Sequence, residues 1–284
     1  YSVGKSISWK PYICVLKKSK THMNQCLINC RGRLIDLSHP KMMGILNITP
    51  DSFSDGGLFN DEYTAIKQVE KMLSKGAEII DIGAQSTRPN AQKLSAEQEI
   101  DRLGSIISKL KKEFPQILIS LDTFYGKVVK FGYDEGIDII NDISAGQFDE
   151  EMLPAVAQTG LPYILMHINP SYETMHEKLI TGDIILEINR FFSEKVGELR
   201  QKFGIKDIIL DPGFGFGKTI EQQHQMLDEL SYIGFGGLPM LIGISRKSFI
   251  YKPLGKSPLE IEQEVEALHQ KALQKGAKII RKHY

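Results

Sequence analysis

Short, almost continuously apolar runs recur along the chain, and between most of them apolar residues repeat at three- and four-residue spacing. The runs are MMGILNI (42–48), EIIDIG (78–83), ILISLD (117–122), IDIIND (137–142), PYILMH (162–167), DIILD (207–211), PMLIGIS (239–245) and KIIRKH (278–283). Runs this short, with little polar alternation, predict strands buried on both faces. Helical patterning fills the gaps. Ser95 and Gln98 form a capping box ahead of Ile100, Leu103, Ile106, Ile107 and Leu110, with Pro115 beyond, and Ile66, Val69, Met72 and Leu73 repeat the spacing before Gly76.

One phrase is written three times, as KGAEIIDIG (75–83), EGIDIINDI (135–143) and KGAKIIRKH (275–283). Each has a glycine where a helix should stop, then a β-rich run, then a polar residue. Eight strands alternating with helices predict a (β/α)8 TIM barrel, close to the roughly 250 residues usual for that fold; an open doubly wound sheet is the alternative. The barrel is expected as one domain over residues 23–284, preceded by a small hairpin, CLINCRGRLIDL (26–37), whose Arg-Gly turn would cap the lower end. Residues 1–22 are basic and aperiodic and read as a disordered or non-native arm, with Met23 the expected start. The chain stops at Tyr284, directly after the eighth strand. The last helix is therefore expected to be missing, leaving the outer face of that strand uncovered and the barrel less stable.

Composition narrows the function classes. Of 284 residues, 42% are hydrophobic and 25% charged, and 35 Lys+Arg balance 35 Asp+Glu, so nothing global favours nucleic acid or a membrane surface. Cys14, Cys26 and Cys30 lack a histidine cluster to complete a zinc set, and a reducing cytoplasm is expected. No apolar run approaches a membrane span.

The ends of the predicted strands carry the chemistry, because in this fold those ends build the active site. They hold Asn47; Asp81, followed by Ser86, Thr87 and Arg88; Asp122; Asn141 and Asp142; His167; Asp211; Ser245 to Ser248; and Arg281 to His283. Any one of these could simply cap the next helix or form an Asx-turn. Their convergence at one barrel mouth favours a site. Asp122, Asn141 and Asp211 suit a flat heterocycle that presents N–H donors, whereas Arg88, Arg246, Lys247, Arg281 and His283 suit an anion.

The stretch IILDPGFGFGKT (208–219) ends like a phosphate loop, but counting back from Gly217-Lys218-Thr219 puts Pro212 where that motif requires glycine. It reads instead as a strand delivering Asp211, then a flexible aromatic loop bearing Phe216. Lys218 is expected at the surface or as a cap.

NITPDSFSDGG (47–57), AQSTRPNA (84–91), SLDT (120–123), INDI (140–143), LMH (165–167), DPGFGFGK (211–218), SRKS (245–248) and the pair Arg281, His283 together resemble dihydropteroate synthases, over about residues 34–283. The resemblance implies a transferase of folate biosynthesis that joins para-aminobenzoate to a dihydropterin carrying a CH2-diphosphate, with Mg2+ present. It implies that Asp122, Asn141, Asp211 and Lys247 bind the pterin, with Asp122, Asp211 and Lys247 the expected catalytic residues. Asn47, Arg281 and His283 resemble the diphosphate and Mg2+ set, with Asn47 the metal ligand. Thr87, Arg88, Pro89, Phe216 and Ser248 resemble the surroundings of para-aminobenzoate. A homodimer and sulfonamide sensitivity are implied as well.

In the segment 257–276, glutamates at 260, 262, 264 and 266 leave a narrow apolar stripe of Ile261, Val265, Leu268 and Ala272. That departure and the early end keep two alternatives open: a non-catalytic pterin-binding remnant and a methyltetrahydrofolate methyltransferase-like protein.

Overall fold

The computed structural model describes residues 26–48, 58–85, 93–168, 172, 175 and 179–284. The expected arm at 1–22 and the start at Met23 lie outside them. An antiparallel hairpin comes first, β1 (Leu27–Cys30) and β2 (Arg33–Asp36), turning through Arg31 and Gly32 at φ 55° and 84°. A two-residue hairpin turn with both central residues left-handed matches the twist of the strands it joins. Asn29 Oδ1 accepts from Gly32 N at 2.7 Å and holds the turn.

Strands and helices then alternate. They are β3 (Lys41–Asn47), α1 (Leu58–Ser74), β4 (Ile79–Gly83), α2 (Ala96–Leu103), α3 (Ile106–Glu113), β5 (Leu118–Asp122), α4 (Gly126–Glu135), β6 (Ile139–Asp142), α5 (Met152–Thr159), β7 (Tyr163–Met166), α6 (Ile184–Lys202), β8 (Ile208–Asp211), α7 (Ile220–Asp228), β9 (Leu241–Ile242), α8 (Ser248–Tyr251), α9 (Glu262–Gln274) and β10 (Ile279–Lys282). The eight strands from β3 onward pair in parallel in the order β8-β7-β6-β5-β4-β3-β10-β9, and a parallel bridge between Leu210 and Met240 closes the ring. This is the predicted (β/α)8 barrel.

The thrice-written phrase is one hydrogen-bonded device. Gly76, Gly136 and Gly276 adopt φ of 89°, 105° and 106°, and the residue after each reaches back five places: Ala77 N to Met72 O, Ile137 N to Gly132 O and Ala277 N to Ala272 O, each 3.0 Å. Helix carbonyls are thereby satisfied and the chain is turned into the next strand.

Three expectations are corrected. The helix patterned over 95–110 is two helices, because Gly104 (φ 47°, ψ −130°) breaks it after the Ser95–Gln98 capping box has started it. The strand read over 239–245 is regular only at Leu241–Ile242. The outer face of β10 is not bare: Ile280 is fully buried, and the Tyr284 ring lies against Gly44 beside Met72. On α9, His269 joins the stripe of Ile261, Val265 and Ala272, with Leu268 packed partly buried against it.

The barrel interior is stratified. Met43, Ile79, Leu118, Ile139, Ile164, Ile209, Leu241 and Ile279 form an apolar floor, one residue from every strand, sealed from below by Ile28, Cys30 and Leu37 of the hairpin segment. The plug is tied to the rim through Arg31, whose guanidinium donates to Tyr133 O and Ile137 O at 3.1 and 3.3 Å. Alternate strand residues share a face, so two steps up from the floor the same face carries Ile45, Asp81, Ser120, Asn141, Met166, Asp211, Gly243 and Arg281. One further step reaches Asn47, Gly83 and Asp122 at the ends of β3, β4 and β5. Apolar below and polar above, the interior opens onto the C-terminal ends of the strands.

Candidate active site

Asp81 is the hub of the polar layer. Its carboxylate is wholly buried, and its Oδ2 accepts from Arg281 Nε at 2.6 Å and Asn141 Nδ2 at 3.0 Å. The other arm of Arg281 donates from a terminal nitrogen to Asp122 Oδ2 at 2.8 Å. A guanidinium suits this role, since its planar fork can serve two carboxylates at once and stays charged when buried. Gly83 makes room: a Cβ there would stand 3.2 Å from that of Asp122. Burial first, then the charge of Asp81, pushes the Asp122 carboxyl up, while Arg281 pulls it down. Asp211 is likewise raised by burial, opposed by the Gly213 N–H, which donates to its Oδ1 at 2.7 Å, and by Lys247.

Lys247 enters from the turn after β9. Arg246 adopts φ 58° and is exposed, whereas Lys247 places its ammonium 4.6 Å from the centre of the Phe216 ring. Burial and the nearby Arg281 lower Lys247 to about 8, opposed by Asp211 and Asp122. Ser248 opens α8 beside it. Ser245 Oγ lies 3.2 Å from His283 Nδ1 and accepts from His283 N at 3.3 Å, which joins the ends of β9 and β10.

The structure thus brings Asp122, Asn141, Asp211, Lys247, Phe216 and Arg281 into one neighbourhood, with Asn47, Ser248 and His283 at the ends of their elements on the same side. Thr87, Arg88 and Pro89 lie outside the described residues.

Two expected members face elsewhere. His167 is out of phase with the floor, so its ring turns outward against Phe191 of α6 (centroids 5.0 Å, 80° between planes) and lines a cavity of about 330 Å3 on that side. Burial, then the charge of Lys218, lowers it to about 2. Asp142 also points outward, where its carboxylate accepts from Ser144 N, Gly146 N and Tyr163 Oη. Arg246, counted among the cations, belongs to the surface. The sequence contained the means to sort these, because parity with the apolar floor separates inward from outward side chains.

Lys218 is the largest correction. It is 6% exposed, not a surface residue, and its ammonium donates to the carbonyls of Gly213 (2.9 Å), Phe216 (3.0 Å) and His167 (3.3 Å). Burial lowers it to about 7 despite nearby Asp211. Three residues of the site neighbourhood carry no sequence signal of their role: Asp81, Lys218 and Glu99. Glu99 is a fully buried helix residue whose Oε2 accepts from Thr123 Oγ1 at 2.8 Å, next to Asp122.

Chemically, the site joins carboxylate and amide acceptors to two cations, one of them held between Asp81 and Asp122, and an aromatic wall. No helix among the described residues is long and apolar enough to cross a membrane.

The family described as pterin binding enzyme matches residues 43–283. Dihydropteroate synthase of Escherichia coli (strain K12) is 41% identical over 254 residues, 89% of each chain, and that of a Synechocystis strain is 45% identical over 245 residues, 85% of this chain and 84% of its own. Among solved structures, the Yersinia pestis dihydropteroate synthase with a sulfonamide drug superposes with a TM-score of 0.84 at 39% identity, covering 91% of this chain and 94% of that one. The Xanthomonas albilineans dihydropteroate synthase with 4-aminobenzoic acid gives 0.83 at 34%, covering 91% and 93%. An apolar-floored barrel with buried acceptors beside cations, and relatives matching it over nearly their whole length, place this chain in the dihydropteroate synthase family of pterin-binding enzymes.

Proposed function

We propose that the protein condenses a dihydropterin bearing a CH2-diphosphate with para-aminobenzoate, giving dihydropteroate and diphosphate. The observation that carries the reading is the set of groups gathered inside the barrel, where Asp122, Asn141 and Asp211 supply acceptors and Lys247 and Arg281 supply cations, the latter bound between Asp81 and Asp122.

Asp122, Asn141 and Asp211 are suited to accept the N–H donors of the pterin ring, with Lys247 over it. Diphosphate leaves from the methylene with the C–O electron pair, and the electron-rich pterin stabilises the cation left behind. The arylamine nitrogen attacks that carbon, forms the C–N bond and releases one proton. An arylamine is nucleophilic without a strong base, so positioning and electrostatics suffice. Arg281, His283 and Asn47 are assigned to the diphosphate end. Thr87, Arg88, Pro89, Phe216 and Ser248 are assigned to the aminobenzoate.

Mg2+ fits the same end. The described residues hold no cluster of three or more His, Cys, Asp or Glu side chains suited to a metal, and Mg2+ needs none, since it takes one or two protein oxygens together with substrate phosphates and water. Asn47 offers such an oxygen, and the ion would neutralise the leaving group. A cytoplasmic homodimer completes the proposal, to be checked by sedimentation.

The deciding experiment supplies the purified protein with dihydropterin-CH2-diphosphate, para-aminobenzoate and Mg2+ and follows diphosphate. Release that depends on all three substrates and ions, and that a sulfonamide suppresses, is expected. Pterin binding without release would favour a non-catalytic pterin-binding protein.

A further inference from the structure

The loop after β8 carries glycine at three alternate places. Gly213, Gly215 and Gly217 all have positive φ (70°, 85° and 58°), and a Cβ on Gly213 would meet His167 O at 2.1 Å. So many glycines normally leave a loop free to move. Here two side chains immobilise it from opposite sides.

From within, Lys218 spends all three of its N–H donors on backbone carbonyls, two of them in the loop and one at the end of β7. From α7, Gln223 is 3% exposed; its Oε1 accepts from Gly215 N at 2.8 Å and its Nε2 donates to Lys218 O at 3.1 Å. Every polar atom of both side chains is thus aimed at the main chain between 213 and 218 or at its anchor. The held loop places Phe216 beneath the Lys247 ammonium, and Gly215 lies so close that a Cβ would touch the Lys247 side chain at 3.0 Å.

We propose that Lys218 and Gln223 act as positioning residues for the arylamine: a two-sided clasp that holds the Phe216 wall in the geometry the second substrate meets. The inference rests on the synthase reading. It makes the aromatic loop a preformed surface, and it assigns the lysine of the Gly-Lys-Thr sequence to architecture instead of to phosphate.

The test compares the wild type with Lys218→Met and Gln223→Ala. Diphosphate release is measured against arylamine concentration, and calorimetry measures binding of the dihydropterin diphosphate with Mg2+. The arylamine KM should rise about tenfold in Lys218→Met and about threefold or more in Gln223→Ala, with kcat at saturating arylamine and pterin affinity changed by less than about twofold, since the wall contacts the arylamine equally before and during reaction and its loss removes uniform binding. Amide exchange at residues 213–217 should be slow in the wild type and faster in both variants, a readout that needs no turnover. An unchanged arylamine KM with unchanged exchange in Gln223→Ala overturns the clasp, as does an equal loss of affinity for both substrates. Should Lys218→Met fail to fold, Gln223→Ala decides the matter. A wild type without turnover counts against the synthase reading, and the exchange data then judge the clasp separately.

Discussion

Arg281 Nε stands 2.6 Å from Asp81 Oδ2 across the barrel interior, with β3 lying between the strands that bear them. Removing Arg281 strands the buried Asp81 carboxylate, which costs about 3 kcal/mol or more, whereas removing the Asp81 charge leaves the guanidinium its pair with Asp122. Arg281→Met is expected to lower the unfolding free energy by that order, and Asp81→Asn by less. The double variant should lose less than the sum, by about 1–3 kcal/mol, in urea titrations. Strict additivity would mean the pair is not coupled.

Asp211→Asn separates binding from stability. An amide oxygen can still accept from Gly213 N, so the turn survives, while the charge that burial disfavours is gone. Dihydropterin affinity should fall about tenfold to a hundredfold, because hydrogen bonds to a charged partner are the stronger kind. Melting temperature should hold or rise. A lower melting temperature with intact affinity would reverse the assignment.

Glu99 predicts a pH dependence. Burial, its largest influence, raises it from 4.5 to about 7, with Asp122 adding to the rise and Thr123 and Arg102 opposing it. A raised carboxyl means the folded protein holds a proton that the unfolded chain has released between those values. Its contribution is therefore complete below pH 4.5 and is lost as pH climbs through 7, by roughly 3 kcal/mol. Glu99→Gln should remove that fall from stability measured across pH 4.5–7.5. An unchanged slope would show that the carboxyl titrates normally.

His269 is 2% exposed, neither ring nitrogen has a hydrogen-bond partner among the described residues, and Glu266 stands 3.6 Å away. His269→Leu should stabilise the protein by about 1–2 kcal/mol, because an unpaired buried polar group is replaced by an apolar one. Burial also lowers this imidazole from 6.5 to about 4, so the unfolded chain binds the extra proton as pH drops through that window. The wild type should lose stability from pH 6.5 to 4 through this group, and the variant should not. Calorimetric melts at pH 7 and pH 5 measure both effects.

Two helical glycines should respond oppositely to alanine. A Cβ on Gly132 would meet Leu121 Cδ2 at 2.4 Å, whereas one on Gly197 would meet nothing within 4 Å among the described residues. Gly132→Ala is expected to destabilise by about 1–3 kcal/mol through overpacking. Gly197→Ala should stabilise by about 0.5–1 kcal/mol through helix propensity. Thermal unfolding of the pair would expose an error in either sign.

Much of this was legible in the sequence. All eight barrel strands, the Ser95–Gln98 capping box and the three glycine turns follow from local patterning that tertiary contacts reinforce. The inward residues of the site were legible too, since a polar side chain at a buried strand end conflicts with its surroundings unless it has work there. What escaped was set by side-chain direction and by backbone partners. Lys218 looked like a surface residue because its acceptors are carbonyls, which no side-chain pattern reveals. His167 and Asp142 looked like mouth residues because they end strands, although their parity turns them outward. Gly104 split a helix whose apolar spacing continues unbroken across it.

The pairing of β10 with β3 joins segments that stand more than two hundred positions apart, with Arg281 opposite Met43. That closure is what delivers the guanidinium to Asp81 and Asp122. The side chain that equips the pocket is thus carried by a strand held through its pairing with β3 and β9. A change that loosens this seam removes the counter-charge of both carboxylates at once.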